Sequence, residues 1–458
     1  MTAVATARHG VGRREARGRD TSPGARARAA LRLTVPAGGL AVTVFWFGGA
    51  RTGTDPGTVL SGAGDLAGML ASYFVCVLLV LISRAPGIER LFGLDHLVGW
   101  HRSLGAAVVL LVVTHVLLVL TGSARWESTT VWAQVPALLA TQPDLWEATI
   151  GACLFLLGGI TGARLIRRLL SYEVWLTVHL TLYVGIYLTF WHQITGGTHF
   201  LADPVARAVW ILMYAAAGAA LVTWRIARPL WRLTRHVFRV EAVVPESPST
   251  TSVWLQGRHV EELGVQGGQF FLVRFLTRGH LVTAHPYSVS AVPEHGRLRF
   301  TVGALGDHSS AVGGLRPGTR VLLEGPFGRF TAARTAAGRV LLIAGGAGIG
   351  PIRALAEELV RDGRDVVVVH RASTAEELAL AGELAAALGA AYVPLAGRRK
   401  ALGRDPLAPG PLRAVVPDAA AREVFVCGPP GLVDTVVRSC RRLRIPSRAV
   451  HHEELSLS

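Results

Sequence analysis

Residues 97–121 read LVGWHRSLGAAVVLLVVTHVLLVLT, and residues 173–194 read EVWLTVHLTLYVGIYLTFWHQI. As helices rising 1.5 Å per residue, both are long enough to cross about 30 Å of hydrocarbon. One carries His101 and His115, the other His179 and His192. An imidazole held in lipid is costly and marks a ligand site, a pathway or a proton relay. The spacings, 14 residues from 101 to 115 and 13 from 179 to 192, correspond to about 21 and 20 Å of rise. Two such helices running in the same direction would pair His101 with His179 at one depth and His115 with His192 at another. Fourteen residues bring an ideal helix back to within about 40° of the same face, whereas 13 leave it about 140° away. The second segment must therefore tilt, tighten or meet a rotated ligand.

An iron held between two imidazoles is six-coordinate and suits electron transfer, and two such haems at two depths would form a wire; the alternative is that each histidine satisfies an interhelical hydrogen bond. Any redox centre must come from ligands other than cysteine. The four cysteines, Cys76, Cys153, Cys427 and Cys440, form neither a zinc-ribbon nor an iron–sulfur spacing.

Four further apolar runs, 31–50, 62–83, 148–167 and 205–227, give six expected spans; Pro36 and four glycines dilute the first. Half of the 458 residues are hydrophobic, more than an ordinary soluble chain carries. The net charge of +16 rests almost wholly on arginine, with Lys400 alone as lysine. No basic patch is interleaved with stacking aromatics, which argues against nucleic acid as a partner. The arginines report topology instead. Arg84 and Arg90, then Arg164, Arg167 and Arg168, then Arg225, Arg228, Arg232 and Arg235 follow alternate spans and fall on one side together with the Arg-rich residues 1–30. The positive-inside rule makes that side cytoplasmic, so both termini of this multi-pass cell-membrane protein are expected there, with residues 1–30 as a disordered tail. Trp100, Trp175 and Trp191 lie at span ends, where an aromatic belt accounts for them.

Beyond Pro229 the runs become short, β-branched and separated by Gly and Pro. Residues 235–335 are expected to form an antiparallel β-barrel, with strands over 237–244, 270–275 and 298–302. Within it, His285-Pro286-Tyr287-Ser288 offers an aromatic ring and a hydroxyl on one extended segment, suited to cover a flavin and hydrogen-bond its N5 edge. The turn at Gly306-Asp307-His308-Ser309-Ser310 can aim amides and hydroxyls at a pyrophosphate. Residues 338–458 predict an α/β nucleotide domain. A strand over 340–344 runs into Gly345-Gly346-Ala347-Gly348-Ile349-Gly350-Pro351 and a helix over 351–360, which places a pyrophosphate at a helix N-terminus. Arg371 and Ser373, then Arg398, Arg399 and Lys400, stand where a 2′-phosphate would lie, favouring NADPH over NADH. Cys427-Gly428-Pro429-Pro430-Gly431 follows a later strand and presents a thiol toward the nicotinamide.

In this order the segments resemble the ferric reductase and NADPH oxidase superfamily: a transmembrane haem domain (31–230) followed by a ferredoxin-reductase-type FAD and NAD(P) module. The resemblance rests on the two histidine pairs, H-P-Y-S, G-D-H-S-S, G-A-G-I-G-P and C-G-P-P-G, and spans residues 33–458. It implies haem ligation by His101, His115, His179 and His192. It also implies flavin contacts at His285, Pro286, Tyr287 and Ser288, and FAD phosphates near Gly306, His308 and Ser309. The nicotinamide nucleotide would meet Gly346, Gly348, Gly350, Pro351, Cys427 and Gly428, with Ser288 and Cys427 at the hydride-transfer site. His451-x-Glu453-x-Leu455 resembles the family's closing pattern with leucine in place of an aromatic ring expected to stack on the flavin. The implied activity moves electrons from NADPH through FAD and two haems to an external small-molecule acceptor, oxygen or ferric chelate. A haem-binding sensor or electron-transfer subunit that serves quinone or a partner protein without its own NADPH turnover is the alternative. The sequence leaves the oligomeric state open.

Overall fold

The computed structural model describes residues 23–49, 53–277, 284–398, 403 and 405–455. The described residues up to Ala227 form one compact unit and those from Arg228 onward a second. Most of the expected N-terminal tail lies outside the described residues; from Pro23 onward the chain is helical, to Gly49.

The first unit is all α. Among the described residues five helices are long and apolar enough to cross a membrane: Pro56–Ile82, His96–Trp126, Leu145–Gly162, Tyr172–Gly196 and Pro204–Arg235. Six such spans were expected. The helix Pro23–Gly49 fills the place of the first but is not among the five, and it contains Pro36. Capping fixes several starts. Asp55 accepts from Thr58 N with Pro56 in the first turn, Ser171 accepts from Val174 N, and Asp203 accepts from Val205 and Ala206 N ahead of Pro204. Each supplies an acceptor to amides that have no partner within the helix.

With lipid on the outside, helices associate through close packing rather than through water exclusion, and small residues let backbones approach. A Cβ on Gly57 would lie 3.0 Å from Gly122 O, and one on Gly64 would lie 2.8 Å from Val119 Cγ2. The same packing joins Leu145–Gly162 to Tyr172–Gly196, where a Cβ on Gly151 would lie 2.6 Å from Thr189 Cγ2 and 2.9 Å from Gly185 O.

The second unit begins with a six-stranded antiparallel sheet: β1 (Phe238–Ser247), β2 (Thr250–Gln256), β3 (Phe270–Phe275), β4 (His285–Ser288), β5 (Arg297–Gly303) and β6 (Arg320–Phe327). Its order is β4-β3-β6-β1-β2-β5. Just past β4, Val289 bridges to Phe300 of β5 and Ser290 N donates to Arg299 O at 2.9 Å; among the described residues no continuous ladder joins the two edges, so the expected closed barrel is not shown. Alternating residues such as Val253, Leu255, Phe271, Val273 and Phe300 fill its core.

A parallel sheet follows: β7 (Arg339–Gly345), β8 (Asp365–Ala372), β9 (Tyr392–Ala396), β10 (Glu423–Gly428) and β11 (Val450–Glu454), ordered β11-β10-β7-β8-β9. Its strands are continuous apolar runs because helices such as Ile349–Arg361 and Pro430–Arg442 bury both faces. The order reverses between β7 and β10. In open α/β sheets ligands bind outside the carboxyl ends of the strands at that switch.

Candidate functional site

Both expected histidine pairs meet. The His101 and His179 rings lie 6.1 Å apart between centroids, and those of His115 and His192 lie 6.4 Å apart. Two metal–nitrogen bonds of about 2 Å plus the reach of two imidazoles put ring centres roughly 6 Å apart across one iron, so both pairs fit a bis-imidazole haem. Among the described residues no group of three or more His, Cys, Asp or Glu could hold a metal ion; a bis-imidazole site needs only two. His115 Nδ1 is 2.8 Å from Gly64 O, a contact that makes Nδ1 the protonated nitrogen and leaves Nε2 free for a metal.

The helix Tyr172–Gly196 is α-helical throughout, so the 13-residue mismatch is not absorbed by a bulge. The ring planes cross at 74° in the first pair and at 37° in the second. Sequence position alone assigns Trp175 to an aromatic belt. In the fold it stacks on His179 at 5.0 Å and 17°, a contact the four-residue spacing on one helix permits.

In the second unit, β4 and the turn after β5 come together. His285 stacks with Tyr287 at 6.2 Å and lies 4.9 Å from the His308 ring. Tyr287 and Ser288 are half-buried and Pro286 is exposed; burial pushes the Tyr287 hydroxyl above the usual tyrosine range, so it stays a hydrogen-bond donor. Ser309 Oγ accepts from the amides of Leu305 and Gly306 at 2.9 and 3.0 Å and donates to Gly306 O at 2.9 Å. Its hydroxyl thus shapes the turn from within.

The glycine loop sits at the sheet's switch point. A Cβ on Gly348 would lie 2.3 Å from Cys427 O, and one on Gly428 would lie 3.0 Å from Gly345 O. These close approaches hold the loops after β7 and β10 together, with two helix N-termini opening beside them. The helix begins at Ile349, two residues before the expected start, and Pro351 occupies its first turn, where the missing N–H costs nothing. On its other side the loop backs onto the flavin-type domain, since a Cβ on Gly350 would touch Thr301 and Ser290 at 3.4 and 3.5 Å.

Arg299, 1% exposed, fastens this junction. It donates to both Glu383 carboxylate oxygens at 2.6 and 3.0 Å and to Ser290 O at 2.8 Å. Burial would raise the Glu383 carboxyl, but Arg299 and Arg353 hold it below its ordinary value. Sequence reading did not single out either residue, because a buried arginine has no local signature.

Cys427 is fully buried in the nucleotide-domain core, where burial and then the Glu453 carboxylate push the thiol well up. It is a protonated, packed thiol. Leu455 is half-buried against the same cluster and donates its N–H to Gly428 O at 2.9 Å. At the other rim, the Arg371 guanidinium reaches the carbonyls of Ala372, Leu395 (2.9 Å) and Gly397, clasping the ends of β8 and β9. Ser373 and Arg398 are exposed there; Arg399 and Lys400 lie outside the described residues.

Comparison with known proteins follows these two units. Residues 67–190, which include His101, His115 and His179 and end two residues before His192, match the family described as ferric reductase like transmembrane component. The chain is 28% identical over 229 residues to an NADPH oxidoreductase of Mycobacterium tuberculosis, covering 46% of this chain and 57% of that protein. It is 27% identical over 271 residues to a flavohemoprotein of Halalkalibacterium halodurans, covering 53% of this chain and 62% of the relative. Among solved structures, the ferredoxin reductase in carbazole 1,9a-dioxygenase aligns with 48% of this chain and 68% of its own, at 21% identity and a TM-score of 0.42. The chain thus spans less than two thirds of the length of either curated relative.

A unit of long apolar helices and a two-sheet unit similar to oxidoreductase modules for flavin and nicotinamide nucleotides set the class that this chain resembles. More particularly, the first unit contains a ferric-reductase-like transmembrane component, and the order of parts resembles that of the ferric reductase and NADPH oxidase superfamily.

Proposed function

We propose that this protein takes electrons from cytoplasmic NADPH and delivers them through the membrane to oxygen or ferric iron on the far side. The single observation that carries the reading is the pair of imidazole contacts at 6.1 and 6.4 Å on the same two apolar helices. His101 and His179 would hold the inner of two b-type haems, His115 and His192 the outer. The Arg-bearing loops set the first pair toward the cytoplasm. When bound, FAD turns a two-electron hydride into single electrons, and haem carries them one at a time.

The chain's own part is placement. His285, Tyr287 and Ser288 would contact the flavin, with His308 and Ser309 beside its phosphates. The loop Gly345–Gly350 and the N-terminus of helix Ile349–Arg361 would cradle the nucleotide pyrophosphate. Buried Cys427 would shape the nicotinamide pocket by packing rather than by proton transfer. The mycobacterial relative is named for NADPH, and exposed Arg398 is available to a 2′-phosphate.

Absorption spectra of membranes before and after NADPH test the reading. The flavin should bleach and two low-spin haems should reduce, then reoxidise with oxygen or ferric chelate. His115→Leu should lose the outer haem and stop export while flavin reduction persists. Full haem content with normal export in that variant would refute the assignment.

A further inference from the structure

The two histidine pairs are held by different means. At the outer level His115 is fixed by its contact with Gly64 O and by Gly68, where a Cβ would come within 2.7 Å of Nδ1. At the inner level the holder is aromatic. The Trp175 indole lies nearly parallel to the His179 ring, and the guanidinium carbon of Arg167 stands 4.8 Å from the indole centroid. Arg167 itself is anchored by a bond from Nη1 to Leu170 O at 3.3 Å. The indole thus meets both an imidazole and a cation, and a stack of this kind resists ring rotation because turning the imidazole forfeits the face contact.

We infer that Trp175 and Arg167 are positioning residues that hold the His179 plane crossed against His101, making the inner haem electronically distinct from the outer. The inference rests on reading the four histidines as haem ligands. Each axial imidazole donates π density into one of two iron d orbitals, chosen by its plane. Planes crossed at 74° load the two orbitals almost equally and keep them nearly degenerate, whereas planes at 37° split them further. A ferric iron of the first kind gives a strongly anisotropic low-spin resonance, and one of the second kind a more rhombic resonance. The Arg167 charge also favours the reduced iron, which carries one positive charge fewer.

The test is low-temperature electron paramagnetic resonance and redox titration of the purified full chain carrying its haems. Two low-spin ferric signals are expected, one strongly anisotropic and one rhombic. Trp175→Ala should move only the anisotropic signal, shifting its largest g value toward that of the other haem. Trp175→Phe, which keeps a flat ring, should leave it in place. Arg167→Ala should lower the midpoint potential of that same haem, and Arg167→Lys should restore it. Two haems with like rhombic signals in the parent, or an anisotropic signal unmoved by Trp175→Ala, overturn the inference and leave the haem reading intact. A parent that binds fewer than two haems overturns the haem reading itself. If Trp175→Ala loses the inner haem, Arg167→Ala decides: an unchanged midpoint overturns the inference.

Discussion

Gly348→Ala isolates the junction of the two loops at the sheet's switch point. Gly348 has φ −63°, a value alanine adopts freely, so the substitution adds a methyl and no backbone strain. That methyl would sit 2.3 Å from Cys427 O, 2.5 Å from Cys427 C and 2.9 Å from Gly428 N, whereas ordinary contact begins at 3.4 Å. The neighbours are main-chain atoms that cannot rotate away. The loops must therefore part by about 1 Å, and overpacking of this sort costs about 1–3 kcal/mol. If the nucleotide needs the closed arrangement, that cost appears as a 5- to 150-fold loss of affinity, roughly. Anaerobic stopped-flow reduction of the flavin, titrated with NADPH, reads it directly. Flavin content should stay at the parental level because Tyr287 and Ser288 lie on the other domain. Gly382→Ala is the control: nothing lies within 4 Å of its Cβ, and a helical alanine gains about 0.5–1 kcal/mol. Parental NADPH affinity in a fully flavinated Gly348→Ala protein would show that the loops do not shape the nucleotide site.

Three further outcomes follow from named side chains. Leu455→Phe places a flat ring beside Gly428; competition for the flavin face should weaken nicotinamide binding by about 0.5–1.5 kcal/mol, seen as a higher half-saturating NADPH in the same stopped-flow assay. Arg398→Ala should raise KM for NADPH a few-fold, about 1 kcal/mol for an exposed charged hydrogen bond, and leave NADH unchanged; Arg371→Ala, by contrast, should lower thermal stability because its guanidinium binds carbonyls of the domain itself. His370 is fully buried with its Nδ1 3.0 Å from the Tyr392 hydroxyl, and burial pushes its pKa down to about 4. Unfolded histidine titrates near 6.5, so the contribution of the neutral ring is complete above pH 6.5 and is lost as pH falls toward 4. It amounts to about 3 kcal/mol, and melting of the full chain, followed by flavin release across that range, should lose most of this acid sensitivity in His370→Gln.

By itself the sequence determined the order of parts and the pairing of the histidines. Long apolar runs and strand–turn–helix patterns are local signals, and the 14- and 13-residue spacings translate directly into depth along two helices. It also located H-P-Y-S, the glycine loop and C-G-P-P-G. Tertiary structure alone decided what those residues touch. Arg371 and Arg398 look alike as basic residues after strands, yet one is committed to carbonyls of β8 and β9 and the other is exposed, because the course of β9 is set by the whole sheet. Cys427 sits at a strand end in either description, but only its place in the buried cluster that includes Phe425 and Phe330 makes it a core thiol. The short bridge between the segment after β4 and β5, and the stack of Trp175 on His179, have the same origin. Each depends on how distant segments cross, and a side chain's direction in that crossing is fixed by the fold as a whole rather than by its neighbours in the chain.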